Sequence, residues 1–114
     1  MAYDTDLAGR IRTVIMGEPE FAELLSEKEM FGGLAFLIAG NMAVAASSAG
    51  GLMLRCHPDT CTALVDNEHI EPMLMRGRPM AGWLRLDREV LDADADLARY
   101  VRFGCEYARD LPGA

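Results

Sequence analysis

The sequence has little of what most binding and catalytic chemistries need. Lysine occurs once, at Lys28, tryptophan once, at Trp83, and histidine twice, at His57 and His69. The eleven Lys and Arg residues are outnumbered by eighteen Asp and Glu, which leaves a net charge of −7. Affinity for nucleic acid rests on basic side chains neutralising phosphates, and an acidic chain repels that polyanion. Arg76 and Arg78 form a basic pair but no basic stripe follows, so direct DNA or RNA binding is not expected. No apolar run approaches the roughly 20 residues that cross a bilayer, so no membrane span is expected. The start, Met1-Ala2-Tyr3-Asp4-Thr5-Asp6, has neither a basic segment nor an apolar core, which argues against a secretory signal and for a cytoplasmic protein. Cys56, Cys61 and Cys105 make an odd count, and the state expected in that compartment is reduced thiols.

What is present describes one domain, residues 1–114. A content of 51% hydrophobic and 25% charged residues fits a chain with a core, not a disordered one. Leu7, Ile11, Val14 and Ile15 form one apolar stripe, which predicts a helix from about Asp4 to Met16 that Gly17 and Pro19 end. The Glu-rich stretch from Phe21 to Met30 reads as a strand in its second half. Leu34 to Ile38 is a short apolar run suited to a buried strand. Ala39-Gly40-Asn41 is a tight turn, since Gly and Asn tolerate positive φ, and Met42 to Ala46 is the return strand. Leu52 to Cys56 follows after a Gly-rich turn. His57-Pro58-Asp59 opens a second helix with Cys61, Leu64 and Val65 on its apolar face. Ile70 to Met75 and Gly82 to Leu86 are two further strands around the loop Arg76-Gly77-Arg78-Pro79. A last helix starts near Asp92 to Asp96 and buries Leu97, Tyr100, Val101, Gly104, Cys105 and Ala108. The order α-β-β-β-β-α-β-β-α gives an α+β fold. Its antiparallel sheet is covered by helices on one face and meets water or a partner on the other.

Candidate sites are few. Gly32-Gly33 invites a phosphate-loop reading, but the glycines lead into an apolar strand rather than a helix, so they read as a tight turn or bulge. Cys56-His57-x-x-x-Cys61 holds metal-ligand types and could pair a thiol with a histidine. Its spacing lacks a second ligand pair, so no metal is expected, and cysteines acting as small apolar residues are the ordinary alternative. Asp92-Ala93-Asp94-Ala95-Asp96 lacks the Gly and Glu of a calcium loop and reads as helix capping. Methionine is in excess, with eight in the chain. Met73 and Met75 share a strand face, with Met80 and Trp83 just beyond. These side chains either fill the core or make a docking face. Arg78 is either an interface anchor or the ion-pair partner of Glu29.

Two segments stand out together. One is Lys28-Glu29-Met30-Phe31-Gly32-Gly33-Leu34-Ala35-Phe36-Leu37 with Gly40-Asn41-Met42-Ala43; the other is Gly77-Arg78-Pro79-Met80-Ala81-Gly82-Trp83. In this combination the chain resembles the TfoX N-terminal domain family, named for a bacterial regulator of competence, the DNA-uptake state. The resemblance runs from the first helix to Leu111-Pro112. It implies a small α+β domain similar to secretion-chaperone-like folds, and a regulator that acts with a transcription activator. Competence regulators of that family carry a second, helical domain that these residues do not include, so a stand-alone domain is expected.

The combined expectation is a non-catalytic regulatory or protein-binding domain, a homodimer that works through a protein partner and needs no cofactor. Its working surface would be Met73, Met75, Arg78, Met80 and Trp83. Met30, Phe31, Gly32, Gly33, Gly40, Asn41, Gly77, Pro79 and Gly82 would shape the turns around it. The alternatives are a small-molecule or thiol-dependent enzyme using Cys56 and His57, and a purely structural domain.

Overall fold

In the computed structural model, which describes residues 3–30 and 32–112, Asp4 caps the first helix by accepting from the Leu7 N–H at 3.1 Å. Helix α1 (Thr5–Met16) buries Leu7, Ala8, Ile11 and Ile15, the stripe that helical spacing predicts. A short helix α2 (Pro19–Ala22) follows, with Pro19 in its first turn and Phe21 buried. Sequence reasoning gave this stretch no helix; Pro19 ends α1 and also starts α2, because its fixed φ suits a first helical turn.

The strands are β1 (Leu25–Met30), β2 (Gly33–Ile38), β3 (Asn41–Ala46), β4 (Leu52–Arg55), β5 (Ile70–Met75) and β6 (Arg78–Leu86). They form one antiparallel sheet in the order β1-β2-β3-β4-β6-β5. Helix α3 (Pro58–Leu64) separates β4 from β5. A 3-10 turn (Arg88–Leu91) and helix α4 (Asp94–Asp110) complete the chain. The α+β class and element order are those read from the sequence.

The register decides which face is core. Leu34, Ala46, Leu52, Leu86 and Ile70 line up across the sheet, as do Phe36, Val44, Leu54 and Leu84. All of them are buried, together with the apolar faces of α1, α3 and α4. Helix α4 comes very close at Gly104, where a Cβ would lie 2.5 Å from the Ala43 carbonyl oxygen. Ala43 is the extra residue of a bulge: Phe36 pairs with Val44, but Leu37 pairs with Met42.

Three further details differ from expectation. In the β2–β3 turn the positive φ angles belong to Ala39 and Gly40, not Asn41. Asn41 instead donates from Nδ2 to the carbonyls of Ala108 and Pro112, at 3.1 and 3.0 Å, tying down the end of α4. Strand β6 begins at Arg78, so the expected loop shrinks to the Arg76-Gly77 turn, both at positive φ. Pro79 fits within that strand because β6 there pairs with β5 alone and lacks a second neighbour demanding its N–H. Finally, Ala93 is the cap of α4 and no carboxylate side chain caps it. Asp94 and Asp96 stand in the first turn, where the helix dipole favours them, and Asp94 accepts from Arg10 at 3.1 Å.

Candidate functional site

Strand alternation puts one row of side chains on the face away from the helices. Lys28, Ala35, Ala45, Met53, Arg85 and Glu71 stand side by side across all six strands. The small Ala35 and Ala45 make a low floor between larger neighbours. Met30, Met42, Met53, Met73, Met80 and Trp83 rise around it and line a groove of about 400 Å³. Leu74, 62% exposed, stands at its side.

Met30 and Met73 come from β1 and β5, the two edges of the sheet, yet they line the same groove. The sheet is therefore curled, concave on its open face. Two irregularities supply the bend: the bulge at Ala43, and a register shift in β5–β6 between Pro72 and Leu74. Gly82 sits opposite that shift with φ +84, and its carbonyl accepts from the Cys56 N–H at 2.9 Å. Gly32, at φ +76, turns β1 into β2 beside the groove, and an added Cβ on Gly33 would meet the Ala46 carbonyl oxygen at 2.5 Å. The paired glycines thus serve a hairpin, as their setting implied.

Trp83 is held rather than loose. The Arg55 guanidinium lies 5.2 Å from its ring centroid and 5.8 Å from that of Tyr107 on α4. Of the expected surface, Met73, Met80 and Trp83 come together in the groove. Met75 ends β5, and its side chain lies outside the described set, as does Phe31. Arg78 is exposed, does not line the groove, and forms no ion pair with Glu29. Met30, Met42 and Met53 complete the lining, and the expected surface did not include them. Among the described residues no methionine belongs to the core, so the core-filling reading of this excess does not hold.

The cysteines correct an expectation. Cys56, at the end of β4, and Cys61, in α3, form a disulfide across Cα atoms 6.1 Å apart, a span that such a bond allows. They are not the reduced thiols read from the sequence. Cys105 is free but buried, and burial pushes its pKa up to about 12, which makes a poor nucleophile. His57 Nδ1 accepts from the Asp59 N–H at 3.1 Å and so caps α3. Cys56 and His57 therefore do not form a thiol–imidazole pair in this state. Among the described residues no group of three or more His, Cys, Asp and Glu side chains could hold a metal ion. No described helix is long and apolar enough to cross a membrane.

Elsewhere, His69 stands among carboxylates. Its Nδ1 lies 2.7 Å from Asp87 Oδ2, and its Nε2 is 3.3 Å from Glu89 and 3.5 Å from Glu68. The hydrogen bond to Asp87 raises the His69 pKa above the ordinary histidine range and lowers that of Asp87. A depression of about 650 Å³ lies between α1 and the start of α4, but the Arg10 and Asp94 side chains on it pair with each other at 3.1 Å.

The profile of the TfoX N-terminal domain matches residues 20–108, most of the chain, and the chain belongs to that family. No curated protein and no solved structure matches it significantly.

Proposed function

We propose that this TfoX N-terminal domain is a non-catalytic binding module of the competence-regulator kind, which acts by docking a protein partner on the open face of its sheet. The observation that carries this reading is the groove: five half-buried methionines and the single tryptophan gather on the one sheet face that no helix covers. Methionine is flexible and polarizable and recurs on surfaces that adapt to partners. Trp and Arg are common anchors in interfaces, and here Arg55 braces Trp83. A regulatory role in DNA uptake would then run through that partner, since a chain of net charge −7 is poorly suited to hold nucleic acid itself.

The thiol-enzyme reading has no observation in its favour while Cys56 is bonded to Cys61 and Cys105 is buried. Affinity capture with matched variants tests the binding reading. Proteins held by the parent chain and by Arg99→Gln, a change on α4, are expected to be lost from Met53→Glu and Trp83→Ala, with circular dichroism showing both variants folded. Retention of the same proteins by folded groove variants refutes it.

A further inference from the structure

The sheet that carries the groove differs in charge from the rest of the molecule, although no cation lines the groove itself among the described residues. The six strands and the β5–β6 turn hold five basic residues, Lys28, Arg55, Arg76, Arg78 and Arg85, against three acids. Everything outside them holds six basic residues against fifteen acids. Of the three strand acids, Glu27 is taken by Arg12 of α1 at 2.6 Å, and Glu29 shares the helix-side row with Leu34. Glu71 alone stands in the open-face row, beside Arg85.

Pairing sharpens the contrast. Among the described residues the basic side chains of the helical layer are mostly engaged: Arg10 with Asp94, Arg12 with Glu27, Arg88 with Asp4, Arg102 with Glu18, Arg109 with Glu20. None of the five sheet cations forms an ion pair there. An apolar trough thus lies beside Lys28 and Arg85, two open-face cations without an ion pair among the described residues, in a chain that is otherwise acidic.

Resting on the binding reading above, we propose that the occupant of this groove is an acidic amphipathic segment of another protein: apolar side chains seated among the methionines, Asp and Glu along its edges facing Lys28 and Arg85. Three other occupants fit less well. A second copy docking by the same face would set cations against cations, and like charges across an interface disfavour it. An anionic bilayer presents a plane to a concave trough and is repelled by the chain's net charge of −7. Nucleic acid would bring phosphates but nothing to fill an apolar groove.

The single tryptophan reports on the site, because Trp83 lines it. The probe is a synthetic amphipathic peptide with leucines on one side and glutamates along both edges, compared with versions carrying Gln or Lys in place of Glu. The expected result is a saturable blue shift of Trp83 emission with the Glu peptide. It should bind at least about fivefold tighter than the Lys peptide, and Lys28→Glu with Arg85→Glu should abolish or invert that preference. Both substituted side chains are exposed, so the variant should fold, which circular dichroism checks. Equal binding of the Glu and Lys peptides overturns the inference, as does a Trp83 response to phosphatidylglycerol vesicles but not to peptide. A concentration-dependent dimer that shifts Trp83 without peptide overturns it in favour of self-docking. If the Gln peptide binds as well as the Glu peptide and charge reversal changes nothing, the acidic partner falls while the binding module stands. If no peptide binds, the inference falls, and affinity capture judges the module separately.

Discussion

The seam between α4 and the sheet depends on a missing side chain, and Gly104→Ala measures how much. A Cβ there would lie 2.5 Å from the Ala43 carbonyl oxygen and 3.0 Å from Leu54 Cδ1. Ordinary contact begins near 3.4 Å, so helix and bulge must part by roughly 0.9 Å before contact is comfortable. A backbone carbonyl cannot swing aside as a side-chain tip can. The retreat would also loosen Leu97, Tyr100, Val101, Cys105 and Ala108, which the same helix buries. Overpacking costs about 1–3 kcal/mol, and an approach of 2.5 Å to a backbone carbonyl belongs in the upper part of that range, about 2–3 kcal/mol, against about 1 kcal/mol gained by placing Ala rather than Gly inside a helix. The net expectation is a loss of about 1–2 kcal/mol, or roughly 4–10 °C in Tm for a domain of this size. Urea and thermal unfolding followed by circular dichroism would read it. Gly9→Ala on α1 is the control: a Cβ there meets nothing within 4 Å, so it should gain up to about 1 kcal/mol. A Gly104→Ala protein as stable as its parent would refute the close-approach argument.

Three further outcomes are expected. The raised His69 pKa contributes stability that is complete below the unfolded histidine pKa of about 6.5 and is lost as pH rises through the folded value. Urea midpoints across neutral pH should therefore fall more on the alkaline side for the parent than for His69→Gln, and parallel slopes would rule the pair out as the cause. Without reductant, native protein should show no fast-alkylating thiol, and Cys56→Ser with Cys61→Ser should lose about 2 kcal/mol for so short a closed loop; a rapidly labelled cysteine in the native state would contradict the bonded pair. Leu54→Ala should cost about 2–5 kcal/mol, while its neighbour Met53→Ala, on the groove side, should cost under about 1 kcal/mol because it leaves no sealed cavity; equal losses would mean that the open face is a second core.

The element order was legible because local patterns and tertiary demands agreed. The stripe from Leu7 to Ile15 has the spacing of an amphipathic helix, and the short apolar run from Leu34 to Ile38 suits a buried strand; both elements form. Three elements escaped notice for local reasons. Helix α2 and the 3-10 turn are too short to show a period, and Pro79 in β6 looked like loop because its tolerance depends on a neighbour being absent. The groove was half legible. Met73 and Met80 with Trp83 were close in sequence and could be grouped. Met30, Met42 and Met53 lie on other strands, and plain alternation from Val44 and Ala46 would put Met42 on the core face; the bulge at Ala43 turns it to the open face instead. A residue skipped in a ladder leaves no mark on hydrophobic alternation, so the curl that joins both sheet edges around one trough could not be read in advance. The Cys56–Cys61 bond was missed because compartment was made to decide redox state, when the helix start at His57-Pro58 already brings the two close.

The position of the methionines bears on why this face is open at all. Positions 53 and 54 are adjacent, yet Leu54 is sealed under α4 and Met53 lines the groove. The core face uses Leu, Ile, Val and Phe, whose restricted rotamers favour one packed arrangement. The open face uses a side chain with three flexible torsions, which lowers the cost of repacking around a visitor. The charges divide along the same boundary: most helical-layer arginines pair with carboxylates, whereas the sheet cations form no ion pair among the described residues. Fold stability alone requires neither division. A sheet exposed only to water would be served by polar side chains, and a sheet hidden in a larger core would not keep unpaired cations beside its apolar floor. Apolar, adaptable and cationic together are what a surface needs when it is covered part of the time by something acidic.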